Sequence, residues 1–155
     1  MLYDLLKTVH ILSLVLWIGG MMFVQWFLRP ALLHLASEQR LVLMHEVLTR
    51  FFRGVLIACV LVLVTGFWMI GRVAKSTVQA GGSFDMPIAW WVMAVVGTLM
   101  VAIFMHIRFA PFRRLGDAIK FTAWDKAGQA LGQIRNLVAV NLTLGVLLIV
   151  YVLLA

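Results

Sequence analysis

Residues 86–107, MPIAWWVMAVVGTLMVAIFMHI, form a stretch of 22 residues without Asp, Glu, Lys or Arg. An α-helix needs about 20 predominantly apolar residues to cross the hydrocarbon core of a membrane, so this stretch is long enough to span it once. Three further charge-free stretches have similar lengths and lie at residues 8–28, 54–71 and 136–155. Together the four stretches predict transmembrane helices at about 5–28, 51–72, 87–109 and 134–154.

The overall composition also indicates a membrane protein. Of the 155 residues, 64% are hydrophobic and 12% are charged, whereas about a quarter of the residues are charged in an average soluble domain. The connectors between the four spans are too short to form a soluble domain. We therefore predict one transmembrane domain over residues 1–155, with an all-α fold that is an integral membrane four-helix bundle.

The distribution of basic residues predicts how the bundle is oriented. Ten of the 13 Lys and Arg residues lie in residues 29–53 and 108–135, which connect the charge-free stretches. The positive-inside rule assigns these connectors to the cytoplasm, so both termini are expected to be periplasmic or external. Because this asymmetry accounts for the net charge of +7, it gives no reason to expect a nucleic-acid partner, and membrane lipids are the predicted partners.

The connectors are expected to contain short amphipathic cytoplasmic segments. No Gly or Pro interrupts residues 31–53, and Ser37 is placed to cap a helix that continues into the second span. Residues 122–125, Thr-Ala-Trp-Asp, have the form of a capping box, which predicts a short surface helix at about 123–132. Residues 73–87, which contain a Gly-Gly-Ser sequence, are predicted to form a loop.

Histidines are the most informative polar residues, because ionisable groups inside a span are costly and therefore point to function. His10 lies in the first span, His106 lies near the inner end of the third, and His45 lies on the cytoplasmic extension of the second. Successive spans run in opposite directions, so His10 and His106 are expected near opposite faces of the membrane. Met69 is a candidate neighbour of His10, and Met105 is the neighbour of His106.

These residue types suit two different cofactors. Imidazole and thioether groups together suit Cu(I), whereas paired histidines, or a histidine with a methionine, suit haem iron. The spacing of His10, His106, Met69 and Met105 does not choose between copper and haem b. In a third interpretation the histidines and methionines only pack the core, and the protein is a cofactor-free structural or assembly subunit.

Arginines near the predicted cytoplasmic face form a second candidate group. Guanidinium groups bind phosphates and carboxylates bidentately, so Arg50, Arg53 and Arg135 are candidates to hold lipid headgroups or haem propionates. All six acidic residues lie outside the charge-free stretches. The sequence therefore gives little support to a hydrolase or to a carboxylate-based proton pump.

Several interruptions of the apolar pattern resemble the copper-resistance protein D (CopD) family. They are residues 7–20, KTVHILSLVLWIGG; the Arg-Phe-Phe-Arg of residues 50–53 leading to Thr65-Gly66; residues 106–115, HIRFAPFRRL; and residues 134–145, IRNLVAVNLTLG. This resemblance covers nearly the whole chain. It implies copper handling or transport in the bacterial inner membrane, with a periplasmic copper protein as a candidate partner.

A weaker resemblance is to the HemJ-type protoporphyrinogen oxidases, which contain haem. Lys7, His10 and Trp17 match the first span of that family, and His106 matches a histidine in its third span. That family also has an acidic residue in a motif of its fourth span, whereas this chain has Arg135-Asn136 without an acid. The resemblance implies a haem-dependent membrane oxidoreductase for electron transfer or for oxidation of a porphyrin or quinone, with a redox partner. The sequence leaves the oligomeric state open.

Overall fold

Helices account for almost all of the computed structural model, which describes residues 1–155 and contains no strand. The five helices are α1 (Leu2–His34), α2 (Ser37–Gln79), α3 (Ile88–Phe109), α4 (Pro111–Lys120) and α5 (Trp124–Leu154). Four helical segments are long and apolar enough to cross a membrane, namely α1, α2, α3 with its continuation α4, and α5. The predicted all-α membrane four-helix bundle is confirmed.

An aromatic cluster joins four of the five helices. The Trp17 ring of α1 lies edge-on to Phe104 of α3, with 6.2 Å between the ring centroids. Phe52 of α2 contacts Phe104 at 5.5 Å and Phe112 of α4 at 5.0 Å, also edge-to-face. All four side chains are buried. Aromatic rings attract one another in this arrangement, so these contacts help to hold the four helices together.

Glycines allow two of the closest contacts between helices. A Cβ atom at Gly20 would lie 2.2 Å from the Phe51 ring, and one at Gly145 would lie 2.9 Å from Cε of Met100. Small residues let helices approach closely in membranes, where association depends largely on van der Waals packing. Gly20 thus brings α1 against α2, and Gly145 brings α5 against α3.

The α1 helix passes through Pro30, where the sequence predicts an end or a kink. A π-helical turn at Val24–Leu28 comes immediately before, and the chain stays helical to His34, ending in a short 3₁₀ turn. Proline cannot donate a backbone hydrogen bond, and a wider turn is a common local adjustment where the regular bonding pattern is interrupted. The helix of the first span therefore continues past residue 28, where the charge-free stretch ends.

The structure differs from the predicted caps, surface helix and loop in four details. Ala36 occupies the cap position before α2, so Ser37 is already helical and makes no capping bond. Thr122 has φ of 53° and its hydroxyl donates to the carbonyl of Phe121, so it does not cap a helix. The segment at 123–132 forms the first turns of α5, because no proline interrupts the helix from Trp124 to Leu154. Similarly, α2 continues to Gln79 and shortens the loop to residues 80–87.

The amphipathic surface helix lies instead at Pro111–Lys120. Proline suits the first position of a helix because that N–H needs no partner within the helix. Phe112, Leu115 and Ala118 are buried against the bundle, whereas Arg113 and Arg114 are exposed. The charged residues of this connector therefore face outward from the bundle. We call this end of the bundle the arginine-rich end. The opposite end contains both chain termini and residues 80–87, and we call it the terminal end.

Candidate metal site

A cavity of about 470 Å³ lies between α1, α2, α3 and α5 in the half of the bundle that contains the chain termini. Most of its lining is apolar. The residues that could bind a metal or a polar ligand are His10 from α1, Met69 from α2, and Met93 and Met100 from α3. Lys7 and Trp90 also line the cavity towards the terminal end.

Thr65 fixes the orientation of the His10 ring. Nδ1 of His10 lies 3.0 Å from the hydroxyl oxygen of Thr65, and that hydroxyl donates its own proton to the carbonyl of Leu61 one turn earlier. The hydroxyl can therefore only accept from His10, so Nδ1 carries the proton. A neutral imidazole has one donor and one acceptor nitrogen, which leaves Nε2 with a free lone pair.

Gly66 lets the imidazole lie directly against α2. A Cβ atom at this position would be 3.3 Å from Cε1 of His10 and 3.7 Å from its Nδ1. The Nδ1 edge of the ring thus faces Thr65 and Gly66, and Nε2 is on the other edge. The Thr65-Gly66 pair, which the sequence singles out only as a family landmark, positions the candidate ligand.

Thioether groups are the other metal-binding groups around this cavity. Met69 is one helical turn after Thr65 on α2, and Met93 and Met100 are two turns apart on α3. No group of three or more His, Cys, Asp or Glu side chains converges anywhere in the chain. The metal-binding side chains that line this cavity are therefore one imidazole and several thioethers, which are ligand types that suit Cu(I).

The other metal candidate of the sequence, Met105 with His106, lies at the arginine-rich end. His106 is exposed on α3 between the buried residues Phe104 and Ile107, and Met105 packs partly against the core. Neither residue lines the cavity that contains His10. His10 and His106 therefore do not contribute to a common site in this structure.

His45 contacts α4 and does not line the cavity around His10. Its ring stacks on Phe112 with 5.1 Å between the centroids and an angle of 16°. Its Nε2 would be 3.0 Å from a Cβ atom at Gly116. These contacts place His45 between α2 and α4, in the same half of the bundle as His106.

The three arginines proposed from the sequence have different surroundings. Arg50 forms an exposed ion pair with Glu46, 2.8 Å long and one helical turn away, and such pairs contribute little to stability. Arg53 is exposed. Arg135 lines a second cavity, which lies in the arginine-rich half. None of the three lines the cavity around His10, where the nearest basic candidate is Lys7.

Comparison with known proteins identifies the family. Residues 45–155 match the family model of copper resistance protein D, which includes most of α2 and all of α3, α4 and α5. No curated protein and no solved structure gives a significant match, and the similarity to the HemJ-type oxidases is not supported. The matched segment covers well over half of the sequence and includes three of the four helical segments that are long and apolar enough to cross a membrane. The chain therefore belongs to the copper resistance protein D family.

Proposed function

We propose that this protein handles copper in the bacterial inner membrane, and that its first contact with the metal is at His10. The observation that supports this function is the contact of His10 Nδ1 with the Thr65 hydroxyl, which makes Nε2 the acceptor nitrogen of a ring in a cavity that methionines also line. Cu(I) accepts imidazole and thioether ligands, so Nε2 would bind the ion and Met69 and Met93 would supply sulfur. In the orientation predicted by the positive-inside rule, this cavity receives copper from the periplasmic side, where a soluble copper protein would deliver it.

The aromatic cluster limits what this conformation can do with the ion. Trp17 lines the cavity and its ring contacts Phe104, which in turn contacts Phe52. These buried rings pack directly behind Trp17 at the cavity wall, and neither Met105 nor His106 lines the cavity. The proposal is therefore that copper is received and held near His10, and that passage towards Met105 and His106 requires the helices to move.

Copper binding is tested on the detergent-solubilised protein with a chromophoric Cu(I) chelator as competitor. The wild-type chain is expected to bind one Cu(I), His10→Ala is expected to lose most of this affinity, and Met69→Leu is expected to weaken it. Met22→Leu is the matched control, because Met22 is half-buried on α1 and does not line the cavity. Equal affinities for wild type and His10→Ala would contradict the proposal.

A visible spectrum of the same sample distinguishes copper from haem. Haem b gives Soret and α bands that change between the oxidised and reduced states, whereas Cu(I) gives none. We expect copper in the metal analysis and no such bands. Haem bands that disappear in His10→Ala would instead assign the imidazole to haem iron.

A further inference from the structure

A second cavity, of about 240 Å³, lies between α1, α2 and α5 in the arginine-rich half. Three arginines from the three helices line it: Arg29 near the end of α1, Arg40 in the first turns of α2, and Arg135 in α5. It shares no lining residue with the cavity around His10. The site is therefore separate from the proposed copper site.

These three arginines have no carboxylate partner. The ion pairs of the structure are those of the N-terminal amine with Asp4 and of Arg50 with Glu46, and neither involves the cavity. Because all three arginines line the same cavity, their positive charges repel one another. An anion bound among the three guanidinium groups would therefore be stabilised by all of them.

The depth of the cavity relative to the membrane points to a lipid. Arg29 directly follows the charge-free stretch 8–28, and Arg135 directly precedes the stretch 136–155. Both guanidinium groups are thus expected where the hydrocarbon core meets the phosphate groups of the lipids. A soluble anion is not expected to concentrate at this depth, whereas lipid phosphates lie there.

The remaining walls of the cavity suit an acyl chain. Leu41, Met44, Leu48 and Phe51 of α2 line it on one side, and Val138 of α5 lines it on another. Gly128 and Gly132 leave open space, because a Cβ atom at either position would have no neighbour within 4 Å. The cavity thus has a cationic part, which suits an anionic headgroup, and an apolar wall, which suits an acyl chain.

We propose that this cavity binds an anionic phospholipid, with the phosphate held by Arg29, Arg40 and Arg135 and the start of one acyl chain on the apolar wall. Arginine binds phosphate through paired N–H donors. Three helices contribute one arginine each, so the bound lipid would also hold α1, α2 and α5 together at this end of the bundle.

The experiment is native mass spectrometry of the full chain released from nanodiscs that contain equal amounts of phosphatidylglycerol and phosphatidylcholine. The wild-type protein is expected to retain one phosphatidylglycerol. The double variant Arg29→Gln/Arg135→Gln is expected to bind it about tenfold or more weakly, since hydrogen bonds to charged groups are among the stronger ones. Arg53→Gln is the matched control, because Arg53 is exposed and does not line the cavity. An equal loss in this control would overturn the proposal.

Gly132→Leu tests the cavity without changing any charge. The leucine has open space to enter and replaces a poor helix former, so the variant is expected to fold and to lose the bound lipid. Retention of the lipid by this variant would place the lipid elsewhere and overturn the proposal. Inorganic phosphate is added in a parallel arm: displacement of the lipid by phosphate alone would assign the arginines to a free anion, whereas no displacement supports the lipid.

Discussion

The residue that decides the chemistry of the terminal half is His10, and its environment sets which nitrogen is available. Thr65 accepts the Nδ1 proton while donating its own proton along α2, and Gly66 leaves room for the ring. Groups that bind the second nitrogen of a metal-binding histidine fix its tautomer and its orientation. The contribution of His10 therefore depends on two residues of α2 that would not touch the metal.

Replacement of Thr65 tests this dependence. Thr65→Val keeps the shape of the side chain but removes the acceptor of the Nδ1 proton, so the ring is free to rotate and to change tautomer. Loss of such a supporting group typically weakens metal binding by about 10-fold or more, and a decrease of this size is expected in Cu(I) competition. Thr143→Val is the control, because the Thr143 hydroxyl is exposed and bonds only to the carbonyl of Ala139. Unchanged affinity in Thr65→Val would show that Thr65 does not position the ligand.

At the scale of the helices, close approach between neighbours depends on individual glycines. Gly19 and Gly20 are adjacent on α1, yet a Cβ atom at Gly19 would meet nothing within 4 Å whereas one at Gly20 would overlap the Phe51 ring. Consecutive helical residues point about 100° apart, so one glycine faces outward and the other faces α2. The sequence Gly-Gly alone does not distinguish them.

This pair of glycines gives a matched test of helix packing. Gly20→Ala forces Phe51 to move, and overpacking of this kind typically costs about 1–3 kcal/mol of unfolding free energy. Gly19→Ala is expected to leave stability unchanged or to raise it by up to about 1 kcal/mol, because alanine favours the helix. Thermal unfolding in detergent measures both variants. Equal melting temperatures for the two would indicate that the contact between α1 and α2 tolerates the extra carbon.

At the scale of the whole molecule, the two halves of the bundle have different chemistry. The terminal half contains the cavity with His10 and the methionines, and the arginine-rich half contains the cavity with Arg29, Arg40 and Arg135. The orientation of the bundle therefore decides which side of the membrane the His10 cavity faces.

Reporter fusions test the orientation. The positive-inside rule predicts that residues 80–87 and both termini are periplasmic. Alkaline phosphatase, which is active only in the periplasm, is expected to be active when fused after Ala155 or after Gly82 and inactive when fused after Thr122. The reverse pattern would place the His10 cavity on the cytoplasmic side and change the source of its copper.

The sequence alone determined the fold class, because long charge-free stretches have few options other than helices that cross a membrane. It also identified His10, Met69 and Arg135 as candidates, since polar groups and arginines stand out against an apolar background. Only the tertiary structure decided which candidate residues line the two large cavities. His106 is exposed instead, and His45 packs against Phe112. The tertiary structure also brought Thr65 to His10, and Arg29 and Arg40 to Arg135. The physical reason is that the direction of a side chain depends on how each helix is rotated against its neighbours, and that rotation follows from packing between residues far apart in the sequence.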